Sequence, residues 1–158
     1  MEQVFELLKN TLPGIWRGEG FAKFPSIEPT GYTEVIAFTT DTDKQVIHYA
    51  QKAWYKNDTP DNSKMVFWDT GFIIVNKQGN IQWISAQSGG RTEVYALFTV
   101  SGNNYVFDSE QIGNDPKTIR SQRVFTITNE KIDYQLNMST HQSATFQNHL
   151  AASLKKDK

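Results

Sequence analysis

His48, His141 and His149 are the only imidazoles in a chain of 158 residues that carries no cysteine. Disulfides and thiolate metal centres are therefore ruled out, and a nitrogen donor for a metal would have to be one of these three rings. His149 has the most informative surroundings: "TFQNHLAASLKK", Thr145 to Lys156, where small and apolar residues run out to a basic tail. On extended backbone His149, Ala151 and Ser153 point to one face, and Leu150, Ala152 and Leu154 to the other. Ala, Leu and Lys also favour helix, so a terminal helix stands as the alternative for this stretch. His48 in "VIHYA" reads as a strand residue and His141 in "STHQS" as a loop residue, both with structural roles. The carboxylates of Asp69 in "WDTG" and of Glu93 fall in separate segments and read as structural hydrogen-bond acceptors.

The elements that must position these groups follow from periodicity and turn chemistry. Val4, Phe5, Leu8 and Leu12 recur at helical spacing before Pro13-Gly14, which predicts a short amphipathic helix over 1–12. Beyond it, "DTD", "NDTPDNS", "KQGN", "SGG", "SGNN", "GNDP" and "TNEK" punctuate the chain with turn residues about every dozen positions. The segments between them, such as "KMVFWDTGFIIV" and "TEVYALFTV", are β-branched and aromatic. They predict about ten strands joined as hairpins, and no linker or repeat divides the chain. The expected fold is all-β: an antiparallel up-and-down barrel over 14–155 within one domain, 1–158. Closure removes exposed edges and leaves room inside for one small molecule. A two-sheet sandwich is the alternative. In "GIWRGEGFAKFPSI", Trp16 is expected to plug one end. Gly18 and Gly20 are expected to let the strand bend or a ligand approach its backbone.

Bulk composition excludes several classes. The formal net charge is −1 with both signs interspersed, so no basic face offers itself to nucleic acid. No stretch approaches the roughly 20 apolar residues of a membrane span, and "MEQVFELLKNTL" lacks the apolar core of a secretory signal. The expected location is cytoplasmic.

Several dispersed motifs, taken together, resemble one family. Gly-x-Trp alone is shared by many calycin barrels. Gly-x-Trp-x-Gly-x-Gly followed by an aromatic, Pro, Ser and Ile is narrower. It is joined, in order, by "YAQKAW" (Tyr49 to Trp54), "DTGF" (Asp69 to Phe72), "AQSGGRTEV" (Ala86 to Val94) and "MSTHQSATFQNHLAASL". The set is similar to the nitrobindin family, heme-binding barrels of fatty-acid-binding-protein-like shape.

That resemblance implies that His149, in the terminal His-Leu motif, is the proximal ligand of heme b iron. Small neighbours on its face would leave room for the macrocycle. It implies no other catalytic residue and no sixth protein ligand. The expected chemistry is a mostly ferric heme that binds nitric oxide and isomerises peroxynitrite to nitrate. Phe67 stands where many members carry a distal histidine, so an apolar wall is expected there. Asp69 replaces a glutamate, Ala22 a glycine, Phe24 a tyrosine and Ser26 a threonine. One extra residue lies between Met138 and His149, and the usual proline before the terminal motif is absent. The expected cofactor contacts are Ser26, Phe67, Lys117, Met138 and His149, with Ser26 and Lys117 at the propionates. Arg120 and Arg123 stand as fallback partners there, read otherwise as ordinary surface cations. The expected partners are heme and small ligands such as nitric oxide or peroxynitrite, with no nucleic acid, no membrane and a homodimer left open. A heme-free lipocalin or fatty-acid-binding-like barrel carrying a small apolar ligand is the competing reading.

Overall fold

The computed structural model describes residues 1–158, and every hairpin foreseen from the turn residues is present. Helix α1 (Glu2–Thr11) precedes ten strands. These are β1 (Gly14–Ala22), β2 (Thr30–Thr40), β3 (Val46–Lys56), β4 (Met65–Val75) and β5 (Ile81–Gln87). They continue with β6 (Thr92–Ser101), β7 (Asn104–Gly113), β8 (Thr118–Ile127), β9 (Lys131–Thr140) and β10 (Gln147–Lys156). Each strand pairs antiparallel with its neighbours in sequence, and β1 also pairs β10 from Trp16↔Lys156 to Ala22↔Leu150. The sheet therefore closes on itself, and the sandwich alternative is set aside. The terminal stretch is strand β10, not a helix. No helix is long and apolar enough to cross a membrane.

Helix α1 forms because Phe5, Leu8 and Leu12 share one stripe, each 1 % exposed, while Glu2 and Lys9 complement the helix dipole at its two ends. Pro13 and Gly14, the latter at φ 134°, stop it and turn the chain into β1. The buried stripe caps one mouth of the barrel. Burying three such side chains contributes roughly 1.5–3 kcal/mol each. Trp16 lies fully buried beneath the helix, and its indole Nε1 donates to Leu12 O at 2.8 Å. Lys156 Nζ donates to Thr11 O at 3.0 Å, tying the last strand to the same cap. Trp16 is thus the expected plug.

The two glycines of β1 do something narrower than foreseen. A Cβ at Gly18 would collide with Ser153 O of β10, and one at Gly20 with the Tyr32 ring of β2. Their bareness lets protein approach the strand, not a ligand.

Alternation sorts the interior. Along β2, Tyr32, Glu34, Ile36 and Phe38 are buried, and along β3 Ile47, Tyr49, Gln51 and Ala53. Towards the capped end the inward residues are aliphatic and aromatic. Trp83 is central there, stacked on Phe125 at 4.9 Å and edge-on to Tyr49, Phe38 and Phe107. Towards the other end the inward residues become polar and then recede around a cavity.

Candidate functional site

The open mouth is framed by the β1–β2, β3–β4, β7–β8 and β9–β10 loops, and beneath them lies a cavity of about 750 Å³. That volume falls within the roughly 300–1,000 Å³ usual for small-molecule sites. Ser26, Phe67, Lys117, Met138 and His149 all line it. Five residues spread over 123 positions of sequence, from 26 to 149, are brought to one space.

His149 reaches the cavity by an irregularity. The β9–β10 ladder pairs Asn137 with Asn148 and then Leu136 with Leu150, leaving His149 as an unpaired bulge residue. Its carbonyl accepts instead from Lys23 N at 2.9 Å. The bulge overturns the simple strand phase. Ala151 and Ser153 point outward and are exposed, whereas the buried partners of His149 on β10 are Ala152 and Leu154. Room beside the imidazole comes from the cavity, not from Ala151 and Ser153.

The imidazole is 6 % exposed and packs parallel to Phe24, at 4.9 Å between centroids and 8° between planes. Burial, and then the positive charge of Arg91, hold its pKa below the usual histidine value. No protein hydrogen bond supports the ring. A neutral imidazole facing a cavity has a nitrogen lone pair to offer a metal. Stacking covers the ring face and leaves the in-plane nitrogen lone pair free. Phe67 is half-buried on β4, across the barrel from β10, and supplies no sixth ligand. Met138 is buried on β9. Ser26 and Lys117 are exposed at the mouth, where His141 N donates to Lys117 O at 2.8 Å and joins two rim loops. A cavity of this size with one neutral imidazole, apolar walls and a cation on its rim fits heme.

His48 lies outside the barrel, its Nε2 at 2.9 Å from Thr70 Oγ1 and its ring against Phe72. Arg120 is also outside, bonded to Asp108 at 2.9 and 2.7 Å and lying over Phe146. Arg123 is no surface cation. It is 6 % exposed and sits between two buried carboxylates, 3.7 Å from Asp69 and 3.9 Å from Glu93.

Those three charges anchor a polar belt between the cavity and the aromatic core. Asp69 accepts from Tyr49 OH at 2.7 Å and Ser85 Oγ at 3.1 Å. Glu93 accepts from Tyr95 OH at 2.6 Å and Gln87 Nε2 at 2.7 Å, with Arg91 at 3.6 Å. Burial works against the Arg123 charge, but Tyr95, Tyr49, Asp69 and Glu93 outweigh it and hold the guanidinium firmly protonated. Burial raises the Asp69 pKa, and Arg123 opposes the rise. A second group, Glu34, Gln51 and Tyr134, completes the belt on the β2–β3–β9 side. Reading Asp69 and Glu93 as hydrogen-bonded acceptors agrees with these contacts. The belt as a unit was missed. Its signal was present: Glu34 and Gln51 occupy the inward phase of otherwise apolar alternations.

Residues 9–156 match the family described as the THAP4-like, heme-binding beta-barrel domain. The Arabidopsis thaliana protein named peroxynitrite isomerase Rv2717c is 32% identical over 147 residues, covering 92% of this chain and 84% of that protein. Peroxynitrite isomerase 2 of Mycobacterium ulcerans (strain Agy99) is 30% identical over 153 residues, covering 92% and 90%. The crystal structure of Rv2717c from M. tuberculosis superposes with a TM-score of 0.81 at 24% identity, over 98% of both chains, and shows the same fold. The chain belongs to the THAP4-like heme-binding β-barrel family, the nitrobindins.

Proposed function

We propose that the barrel holds a ferric heme b through His149, and in that state binds nitric oxide and isomerises peroxynitrite to nitrate in the cytoplasm. The observation that carries this reading is the buried imidazole of His149, held neutral and without a protein hydrogen bond at the wall of a 750 Å³ cavity. The names of two relatives at 30% identity or above support the reaction.

When bound, heme would supply a Lewis-acidic iron, the chemistry that polarises a peroxide oxygen. Everything else falls to the chain. His149 would give the nitrogen that holds the iron, and Phe24 fixes the plane of its ring. Phe67, Leu136 and Met138 supply apolar walls that keep water from the reacting space. Lys117 and Ser26 offer a cation and a hydroxyl to propionates at the mouth. No general acid or base is assigned, because isomerisation neither gains nor loses a proton.

Hemin titration of wild type and His149→Ala tests the site. Wild type is expected to develop a Soret band that the variant largely lacks, and equal bands in the two proteins would overturn the ligand. Peroxynitrite decay tests the reaction separately: the loaded protein must accelerate it beyond free hemin at equal concentration.

A further inference from the structure

Glu34 is the one acid of the belt with no cation beside it. It is 1 % exposed, and Arg123, the nearest positive charge to influence it, is already committed to Asp69 and Glu93. Its carboxyl oxygens contact Tyr134 OH at 2.8 and 2.6 Å and Gln51 Nε2. Tyr134 and Gln51, with Tyr32 next to them, form the floor of the cavity. Tyr32 OH and Gln51 Oε1 are buried there without partners. One neutral layer therefore separates a buried, uncompensated carboxyl from the space a ligand enters. In such a medium a second negative charge nearby is strongly felt.

We propose that Glu34 reads the charge of whatever occupies the cavity: an amphipathic anion enters together with a proton that Glu34 takes from solvent, whereas a neutral ligand enters without one. The cavity thereby selects neutral ligands in base and accepts anionic ones as the solution is acidified. The groups facing Glu34 are Tyr32 on β2, Gln51 on β3, Asp69 on β4, Arg123 on β8 and Tyr134 on β9. Beyond them lie Glu93 on β6, Arg91 in the β5–β6 loop and His149 on β10. Of the five nearest, Gln51 does not titrate, burial keeps the phenols of Tyr32 and Tyr134 protonated, and Asp69 and Arg123 are paired with each other. Burial raises the Glu34 pKa to about 7, with Tyr134 and Gln51 opposing the rise, so the exchange falls in the neutral range. His149 titrates below 6.5 and is distinguishable by position.

This inference stands apart from the heme reading, and its test uses the full chain without heme. The probes are 8-anilinonaphthalene-1-sulfonate, anionic throughout, and N-phenyl-1-naphthylamine, the same ring system without the sulfonate. Between about pH 5.5 and 8.5 the sulfonate should lose affinity for wild type by on the order of tenfold, with a midpoint near 7, while the neutral probe changes less than about twofold. Glu34→Gln, which keeps the contacts to Tyr134 and Gln51, should flatten the sulfonate profile to less than about twofold. Wild type at pH 7 should also take up about 0.4 proton per sulfonate bound, read with an indicator in weak buffer; this needs no variant. The proposal is overturned if Glu34→Gln keeps the wild-type slope, if the neutral probe follows the same slope, or if no proton is taken up. Failure of the sulfonate to bind at pH 5.5 overturns it too.

Discussion

The rings of Phe24 and His149 are stacked, 4.9 Å between centroids and 8° from parallel, so a residue just past β1 fixes the orientation of one on β10. A bulge residue lacks the ladder bonds that normally hold a strand side chain, and the stack replaces them. The direction of the imidazole nitrogen is thereby set before any ligand arrives, which lowers the ordering cost of binding.

Phe24→Ala should therefore weaken hemin binding without abolishing it. A stacked pair contributes about 0.5–1.5 kcal/mol beyond its area, so a loss of roughly 2- to 10-fold in affinity is expected. Phe24→Leu should bind as weakly as the alanine variant if the planar stack matters, and close to wild type if only bulk does. Hemin transfer to an excess of a scavenging heme protein measures both. Wild-type retention in Phe24→Ala would remove the stack from the account of the site.

Hemin binding should also show an acid edge set by His149. Its pKa is held below 6.5, first by burial and then by Arg91. Above that pKa the nitrogen is free to donate; below it a proton competes with the metal. Affinity should hold steady through neutrality and fall about tenfold per pH unit below the edge. Arg91→Gln removes the second cause, so the edge should move to higher pH. A Soret titration against pH in both proteins checks it, and an edge that moves to lower pH would contradict the assigned effect of Arg91.

The barrel was legible because turn residues and β-branched runs are local signals, and the hairpin ladder leaves few other ways to close the sheet. The helix was legible for the same reason, through Phe5, Leu8 and Leu12. His149 was legible only through the family motif. Its actual face was not, because a bulge has no sequence signature and one extra residue reverses the strand phase. Arg123 was misread as a surface cation because an arginine between polar residues looks solvated. Only closure of the barrel brings Asp69 and Glu93, from β4 and β6, to its sides. Gly18 was misassigned because the backbone it must clear belongs to β10, more than 130 positions away.

Arg123 should prove far more important to stability than to heme. Replacing it with leucine leaves Asp69 and Glu93 buried without their shared cation, and removing one partner of a buried ion pair typically costs about 3–5 kcal/mol. A urea midpoint that falls by that equivalent is expected. Adding Asp69→Asn and Glu93→Gln to Arg123→Leu should recover much of the loss, because no charge then remains to be buried. If the single variant unfolds at the wild-type midpoint, Arg123 does not compensate the two acids.

Glu34 should make the protein less stable as pH rises, opposite to the usual effect of a paired acid. Its folded pKa, about 7, lies above the ordinary 4.5 because burial disfavours the anion. Between those values the native state keeps a proton that the unfolded chain has released, so unfolding free energy declines with increasing pH. The full gap of 2.5 units corresponds to about 3 kcal/mol, present below pH 4.5 and gone above pH 7. Glu34→Gln cannot titrate. Its stability relative to wild type should therefore rise from near zero at pH 4 to about 3 kcal/mol at pH 8. Urea unfolding of the pair at both values measures the difference directly, so shared titrations elsewhere cancel. A difference that is constant with pH would mean that Glu34 titrates in the folded barrel as it does in the unfolded chain, with the cost of burying its charge fully offset by Tyr134 and Gln51.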